Sequence, residues 1–277
     1  APFIHGVGDP LRPEEPHEVV FQREVELRRP GIALASGPAP KLPIDTNSPV
    51  SLRDAVVVRE FATSKDGTKI PLNIIMPPGI KLDGNNPCVV YGYGGYGINL
   101  SPRFQPLQRI YLDAGIVYVI ANLRGGGEFG DAWHRAGNLT NKQNVFDDFA
   151  AAVQHVIDRK YTKPERLATM GRSNGGLLMG AVLTQHPELM KAVVAGVGIY
   201  DMLRVELSAN GAFNVTEFGT VQDEAQFHAL LGYSPYHNVR DGIRYPAVLF
   251  VTGENDPRVD PMQSRKMTAR LQAATAS

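Results

Sequence analysis

Leu167-Ala168-Thr169-Met170 runs directly into Gly171-Arg172-Ser173-Asn174-Gly175-Gly176, and a further apolar stretch begins at Leu177. A short apolar run, a turn with glycines two residues before and after a serine, and a helical continuation together read as a serine nucleophile raised between a buried strand and a helix. The glycines let backbone and helix pass close to the serine, where a side chain would collide with the turn. Gly-x-Ser-x-Gly also describes a glycine-rich turn holding an incidental serine, so the surrounding elements have to decide between the two.

Those elements are regular from Ala55 onward. Val56 to Thr63 and Lys69 to Met76 straddle Lys65-Asp66-Gly67-Thr68, which predicts a hairpin with glycine at the turn. Cys88 to Tyr91, Ile116 to Ala121, Leu167 to Met170, Ala192 to Val197 and Ala247 to Thr252 have the short, unalternating form of strands buried on both faces. Helices are predicted over Val145 to Arg159, Leu177 to Gln185 and Gln263 to Ala274. In the first, Phe146, Phe149, Val153, Val156 and Ile157 form an apolar stripe while Asp147, Asp148 and Asp158 face water. Alternating strand and helix implies an α/β fold, a mostly parallel central sheet with helices on both faces. Ligands of such sheets lie beyond the carboxyl ends of the strands, where Ser173 emerges. No internal repeat is visible, which argues against a propeller or solenoid within these residues.

Residues 1–50 differ. Prolines recur at positions 2, 10, 13, 16, 30, 38, 40, 43 and 49, with one predicted strand around Val19 to Leu27. This segment reads as a Pro-rich arm or remnant, and residues 51–277 as the main domain.

Composition excludes several classes. Lys plus Arg and Asp plus Glu both number 28, and no basic tract is interleaved with aromatics, so nucleic acid is not an expected partner. The lone cysteine, Cys88, reads as a buried side chain and can form no intrachain disulfide. With no apolar span of about 18 residues and no basic-apolar leader, the expectation is a soluble chain without membrane partners, with a cytoplasmic location favoured. No metal or cofactor is expected. Asp147 and Asp148 have no His/Cys ligand set beside them, and Arg124-Gly125-Gly126-Gly127 lacks the lysine and hydroxyl spacing of a phosphate loop, reading instead as closely packed backbone.

A serine hydroxyl needs a base, and a histidine base needs an acid to orient it. In this fold class the acid follows a late strand. Phe250-Val251-Thr252-Gly253-Glu254-Asn255-Asp256 makes Asp256 the leading candidate and Glu254 the second, with a turn carboxylate as the bland alternative. All seven histidines precede Asp256. The expectation is therefore a chain cut short at its C-terminal end, or a companion polypeptide supplying the histidine. His134 and His237 are possible local donors that read better as satisfied structural histidines; His155, inside a helix, and His186, at a helix end, are weaker still. An oxyanion hole needs donors where negative charge develops. The backbone N–H of Asn174 is one, and the loop Gly92-Tyr93-Gly94-Gly95-Tyr96-Gly97 can offer a second as a backbone N–H or as the Tyr93 phenol.

Taken in order, Tyr91-Gly92-Tyr93-Gly94-Gly95-Tyr96-Gly97, Asn122-Leu123-Arg124-Gly125-Gly126-Gly127-Glu128-Phe129-Gly130, Trp133-His134, Lys142-Gln143-Asn144-Val145-Phe146-Asp147-Asp148-Phe149, Gly171-Arg172-Ser173-Asn174-Gly175-Gly176, Tyr233-Ser234-Pro235-Tyr236-His237-Asn238-Val239 and Asn255-Asp256-Pro257-Arg258-Val259 resemble the prolyl oligopeptidase family from about Leu52 to Ser277. The resemblance implies an α/β-hydrolase catalytic domain that cleaves short peptides after proline and hydrolyses activated esters and amides. It implies Ser173 as nucleophile, Asp256 as acid, Asn174 and the Tyr93 hydroxyl as oxyanion donors, and Arg258 as the cation holding a substrate carbonyl. Three features depart from the family: its catalytic histidine is absent, its β-propeller is not recognisable in residues 1–50, and its proline-stacking tryptophan corresponds to Asn214, beside Phe213. The functional expectation is a serine hydrolase acting on short peptides or small acyl esters. A carboxylesterase without proline preference and an inactive fragment or binding module are the alternatives.

Overall fold

The turn at Asp66-Gly67 organises the first hairpin. Gly67 has φ +89°, which suits glycine, its N–H donates to the Ser64 carbonyl at 2.9 Å, and the Thr68 N–H donates to Asp66 Oδ1 at 3.0 Å. Strands β1 (Val56–Thr63) and β2 (Lys69–Met76) flank it, with the ends predicted from sequence. The computed structural model describes residues 50–275 other than Pro102. The Pro-rich segment and its predicted strand around Val19 to Leu27 therefore lie outside the described residues.

The remaining strands are β3 (Cys88–Gly92), β4 (Val117–Ala121), β5 (Leu167–Arg172), β6 (Ala192–Gly196) and β7 (Ala247–Val251). They form one sheet in the order β1-β2-β4-β3-β5-β6-β7, antiparallel at the β1-β2 and β2-β4 pairings and parallel elsewhere. The helices are α1 (Gln108–Asp113), α2 (Asp131–Arg135), α3 (Gln143–Asp158), α4 (Asn174–Gln185), α5 (Gly211–Phe218), α6 (Glu224–Tyr233), α7 (Pro235–Asn238) and α8 (Met262–Ala274). This is the mostly parallel α/β sheet expected from the alternation of strands and helices, in the α/β-hydrolase arrangement that the family resemblance implied. The core joins the inward faces of β2 to β6 with α3 and α4; Phe146, Phe149, Val153 and Val156 are buried in it, as the predicted stripe requires. Cys88 is likewise buried.

Two expectations fail. The run from Ala247 is not buried on both faces. Among the described residues β7 stands last in the strand order, and Leu249 is 57% and Val251 42% exposed. Asp148 does not face water. It is fully buried and receives bidentate hydrogen bonds from Arg124, from Nη2 to Oδ1 at 2.6 Å and from Nε to Oδ2 at 2.9 Å. A charge survives there because a second charge meets it with matched fork geometry. No helix among the described residues is long and apolar enough to cross a membrane.

Candidate active site

The parallel strands deliver their loops to the same end of the sheet; Tyr93, Ser173, Asp256 and Arg258 lie on these connections, while Asn174 opens α4 and Phe213 and Asn214 lie in α5. Ser173 leaves β5 with φ +58° and ψ −120°, a left-handed conformation that costs a non-glycine residue energy and is held here by its neighbours. Its N–H donates to the Gly196 carbonyl at 2.8 Å, and its carbonyl accepts from Gly176 and Leu177 at 2.8 and 3.1 Å. The flanking glycines are sterically required. A Cβ on Gly171 would stand 2.3 Å from the Gly175 carbonyl oxygen, and one on Gly175 would stand 2.7 Å from that of Gly92. Asn174 is the first residue of α4, so its N–H has no acceptor within the helix and points with the positive end of the helix dipole.

The loop after β3 faces this turn. Burial pushes the Tyr93 phenol up from its ordinary pKa, with a hydrogen bond to the Ser173 side chain pulling the other way, so the hydroxyl is neutral and able to donate near neutral pH. The Asn174 side chain donates from Nδ2 to the Tyr93 carbonyl at 2.5 Å, joining loop and turn directly.

The second glycine loop backs the first. The Gly97 N–H donates to the Gly125 carbonyl at 3.0 Å, the Gly125 N–H to the Trp133 carbonyl at 3.0 Å, and Trp133 Nε1 to the Leu123 carbonyl at 2.9 Å. Cβ atoms on Gly125 and Gly127 would stand 2.7 Å and 2.3 Å from the carbonyl oxygens of Gly94 and Gly97. Arg124-Gly125-Gly126-Gly127 is thus packed backbone, and Arg124 anchors it to Asp148 and Asp66.

Asp256 lies on the loop after β7 and accepts from the N–H groups of Val259 at 3.0 Å and Arg258 at 2.9 Å. These two bonds hold its carboxyl below the ordinary aspartate pKa, so it is ionised near neutral pH. Both fall on Oδ1, which leaves Oδ2 as the oxygen able to accept from an imidazole. Arg258 and Glu254 are exposed. Arg258 shares a small cleft with Asn214, Ile199, Val205 and Gln263.

Phe213 and Asn214 behave differently from one another. Phe213 is 58% exposed and stacks on Tyr96 with centroids 5.3 Å apart and planes 6° apart. Asn214 is buried and its Oδ1 accepts from the Tyr96 hydroxyl at 2.9 Å. The structure therefore offers an aromatic face at Phe213 and none at Asn214.

Four of the five described histidines have polar partners. His134 Nε2 is 2.8 Å from Glu217, His155 Nε2 is 2.7 Å from Glu60, His186 Nδ1 is 3.5 Å from Glu188, and His237 Nδ1 is 2.8 Å from the Ser234 hydroxyl. His134 and His237 are satisfied side chains, as their sequence contexts suggested. Sequence reasoning gave no role to Lys142 or Glu217, which form a buried ion pair beneath the loop after β3.

Comparison with known proteins adds independent findings. A model of the prolyl oligopeptidase family matches residues 102–277. The chain is 45% identical over 214 residues to a prolyl endopeptidase of Elizabethkingia meningoseptica, covering 77% of this chain and 30% of that protein. It is 43% identical over 215 residues to one of Dictyostelium discoideum, covering 76% and 28%. A solved prolyl endopeptidase structure superposes with a TM-score of 0.80 at 48% identity, over 82% of this chain and 34% of that one. A post-proline cleaving enzyme from Rickettsia typhi does so with a TM-score of 0.78 at 36% identity, over 80% and 32%. The chain thus spans about a third or less of the length of the relatives it matches. Fold, ordered motifs and sequence identity agree, and the chain belongs to the prolyl oligopeptidase family.

Proposed function

We propose that residues 51–277 form the catalytic domain of a serine hydrolase working by two-step acyl transfer. Ser173 attacks the acyl carbon, the leaving group departs with a proton from the base, and water activated by that base releases the acid. The N–H of Asn174 and the hydroxyl of Tyr93 receive the developing oxyanion. Asp256 orients the base through Oδ2, and a histidine from a companion polypeptide or a segment outside these residues is that base. The observation that carries the reading is Ser173 itself, held at φ +58° at the head of α4, with the Asn174 side chain tying the Tyr93 loop to the same turn.

Short peptides are the proposed substrates. The relatives carry names that refer to cleavage at proline, Arg258 offers a cation for a peptide carbonyl, and the exposed ring of Phe213 offers a flat apolar face. A second reading, small acyl esters without proline preference, is favoured by Asn214, whose buried amide is engaged by Tyr96 and presents no ring. Turnover of a proline-containing peptide against a short acyl p-nitrophenyl ester separates the two. The serine mechanism is tested by Ser173→Ala in the active full-length protein. Its kcat is expected to fall by about 10⁴-fold or more, and equal rates in parent and variant exclude the mechanism.

A further inference from the structure

The loop bearing Tyr93 is built from residues that cannot fix it. Gly92, Gly94, Gly95 and Gly97 leave the backbone with little intrinsic preference, and Gly94 sits at φ +62°. An oxyanion donor is effective only if it is already in place. Two consecutive carbonyls of this loop are gripped from outside it. Asn174 donates to the Tyr93 carbonyl, and Lys142 Nζ donates to the Gly94 carbonyl at 3.0 Å.

The second grip is an unusual investment for a fold. Lys142 is fully buried, and burial lowers its pKa against the opposing charge of Glu217. Nζ also donates to Glu217 Oε1 at 2.7 Å and lies 5.3 Å from the Phe218 ring centroid. Glu217, itself 1% exposed, uses its other oxygen, Oε2, for His134 Nε2 at 2.8 Å. A chain of contacts from His134 in α2 through Glu217 in α5 to Lys142, just before α3, therefore ends on one glycine carbonyl. The Glu217 charge also raises the pKa values of Tyr93 and Tyr96, which places it electrostatically within the loop's surroundings. Stability alone does not call for this arrangement, because apolar replacement of a buried ion pair is often neutral or stabilising.

We propose that Lys142 and Glu217, with His134 as their part-exposed support, are positioning residues that hold the Gly94–Gly95 peptide, immediately after Tyr93, and thereby aim the Tyr93 hydroxyl at the oxyanion. The proposal rests on the serine hydrolase reading above, in which Tyr93 is an oxyanion donor.

The test is a double-mutant cycle with an exchange measurement beside it. Lys142→Met combined with Glu217→Leu removes both charges together and leaves neither buried alone. In the active full-length protein it is expected to lower kcat by about 10- to 100-fold at nearly constant KM. In a Tyr93→Phe background the same pair is expected to cost less than about twofold, because the group being aimed is already gone. Amide exchange, which needs no turnover, is expected to quicken about tenfold or more in residues 92–97 while β5 and α4 keep their protection. Equal losses in both backgrounds, or unchanged exchange in residues 92–97, overturn the proposal. If the paired variant unfolds, His134→Ala takes its place, since it buries no unpaired lysine. Faster exchange confined to the loop supports the proposal, and unchanged exchange with unchanged kcat overturns it. These outcomes are independent of Ser173→Ala, which tests the serine mechanism alone.

Discussion

The Asn174 side-chain amide donates to the Tyr93 carbonyl at 2.5 Å across 81 positions of sequence, so the two residues proposed to make the oxyanion hole are bonded to each other before any substrate arrives. One hydrogen bond couples the head of α4 to the loop after β3. A loop of glycines gains the fixed geometry that electrostatic stabilisation of a transition state requires.

Tyr93→Phe removes a donor and keeps the ring. If the hydroxyl receives the oxyanion, kcat is expected to fall by about 10²- to 10³-fold with little change in KM, read from steady-state kinetics. A normal kcat removes Tyr93 from the mechanism.

Arg258 lies exposed beside the cleft that includes Asn214. A contact to a carbonyl away from the cleaved bond stabilises ground and transition states alike, so Arg258→Ala is expected to raise KM for peptides and leave kcat nearly unchanged. Small esters lacking that carbonyl should be hydrolysed as before. Equal impairment of both substrates contradicts this role.

Asp148→Ala leaves the Arg124 guanidinium, 6% exposed, without its buried partner. The expected loss of stability is about 3–5 kcal/mol, measured by urea unfolding. Replacing both residues by apolar ones should cost much less. A small effect of the single change means that Asp66 and Ser64, which also bond Arg124, suffice to hold it.

Asp66 links the hairpin turn to pH. Its hydrogen bond with Arg124 lowers its pKa to about 2, below the unfolded value of about 3.9. The stabilisation is therefore complete above about pH 4 and is lost as pH falls through about 2. Because the side chain is 48% exposed, less than about 1 kcal/mol is expected. Acid-unfolding profiles of the parent and Asp66→Asn should differ above pH 4 and converge toward pH 2; parallel profiles throughout contradict the linkage.

Local pattern carried the fold where local physics decided it. The turn glycine Gly67 and the β-branched runs beside it located β1 and β2, and the glycines around Ser173 announced the strand-to-helix turn because no other residue fits there. Ala247 to Val251 looked like the other buried runs because position in a sheet leaves no mark within five residues; among the described residues, its last place in the strand order goes with the exposure of Leu249. Asp148 appeared solvated for a similar reason. Its partner Arg124 belongs to a loop that tertiary packing brings over α3. Lys142 and Glu217 meet across 75 positions, and neither residue's neighbours indicate that it is buried. Asn214 shows the limit at the site itself, since its hydrogen-bond partner Tyr96 lies 118 positions away in sequence.

The most direct test of Ser173 as the nucleophile is peptide mapping by mass spectrometry of the active protein after reaction with an activated acyl ester and rapid acid quench. The account requires a single acyl adduct on the peptide containing Ser173, absent from Ser173→Ala together with turnover. An adduct on another residue, with turnover persisting in Ser173→Ala, contradicts it.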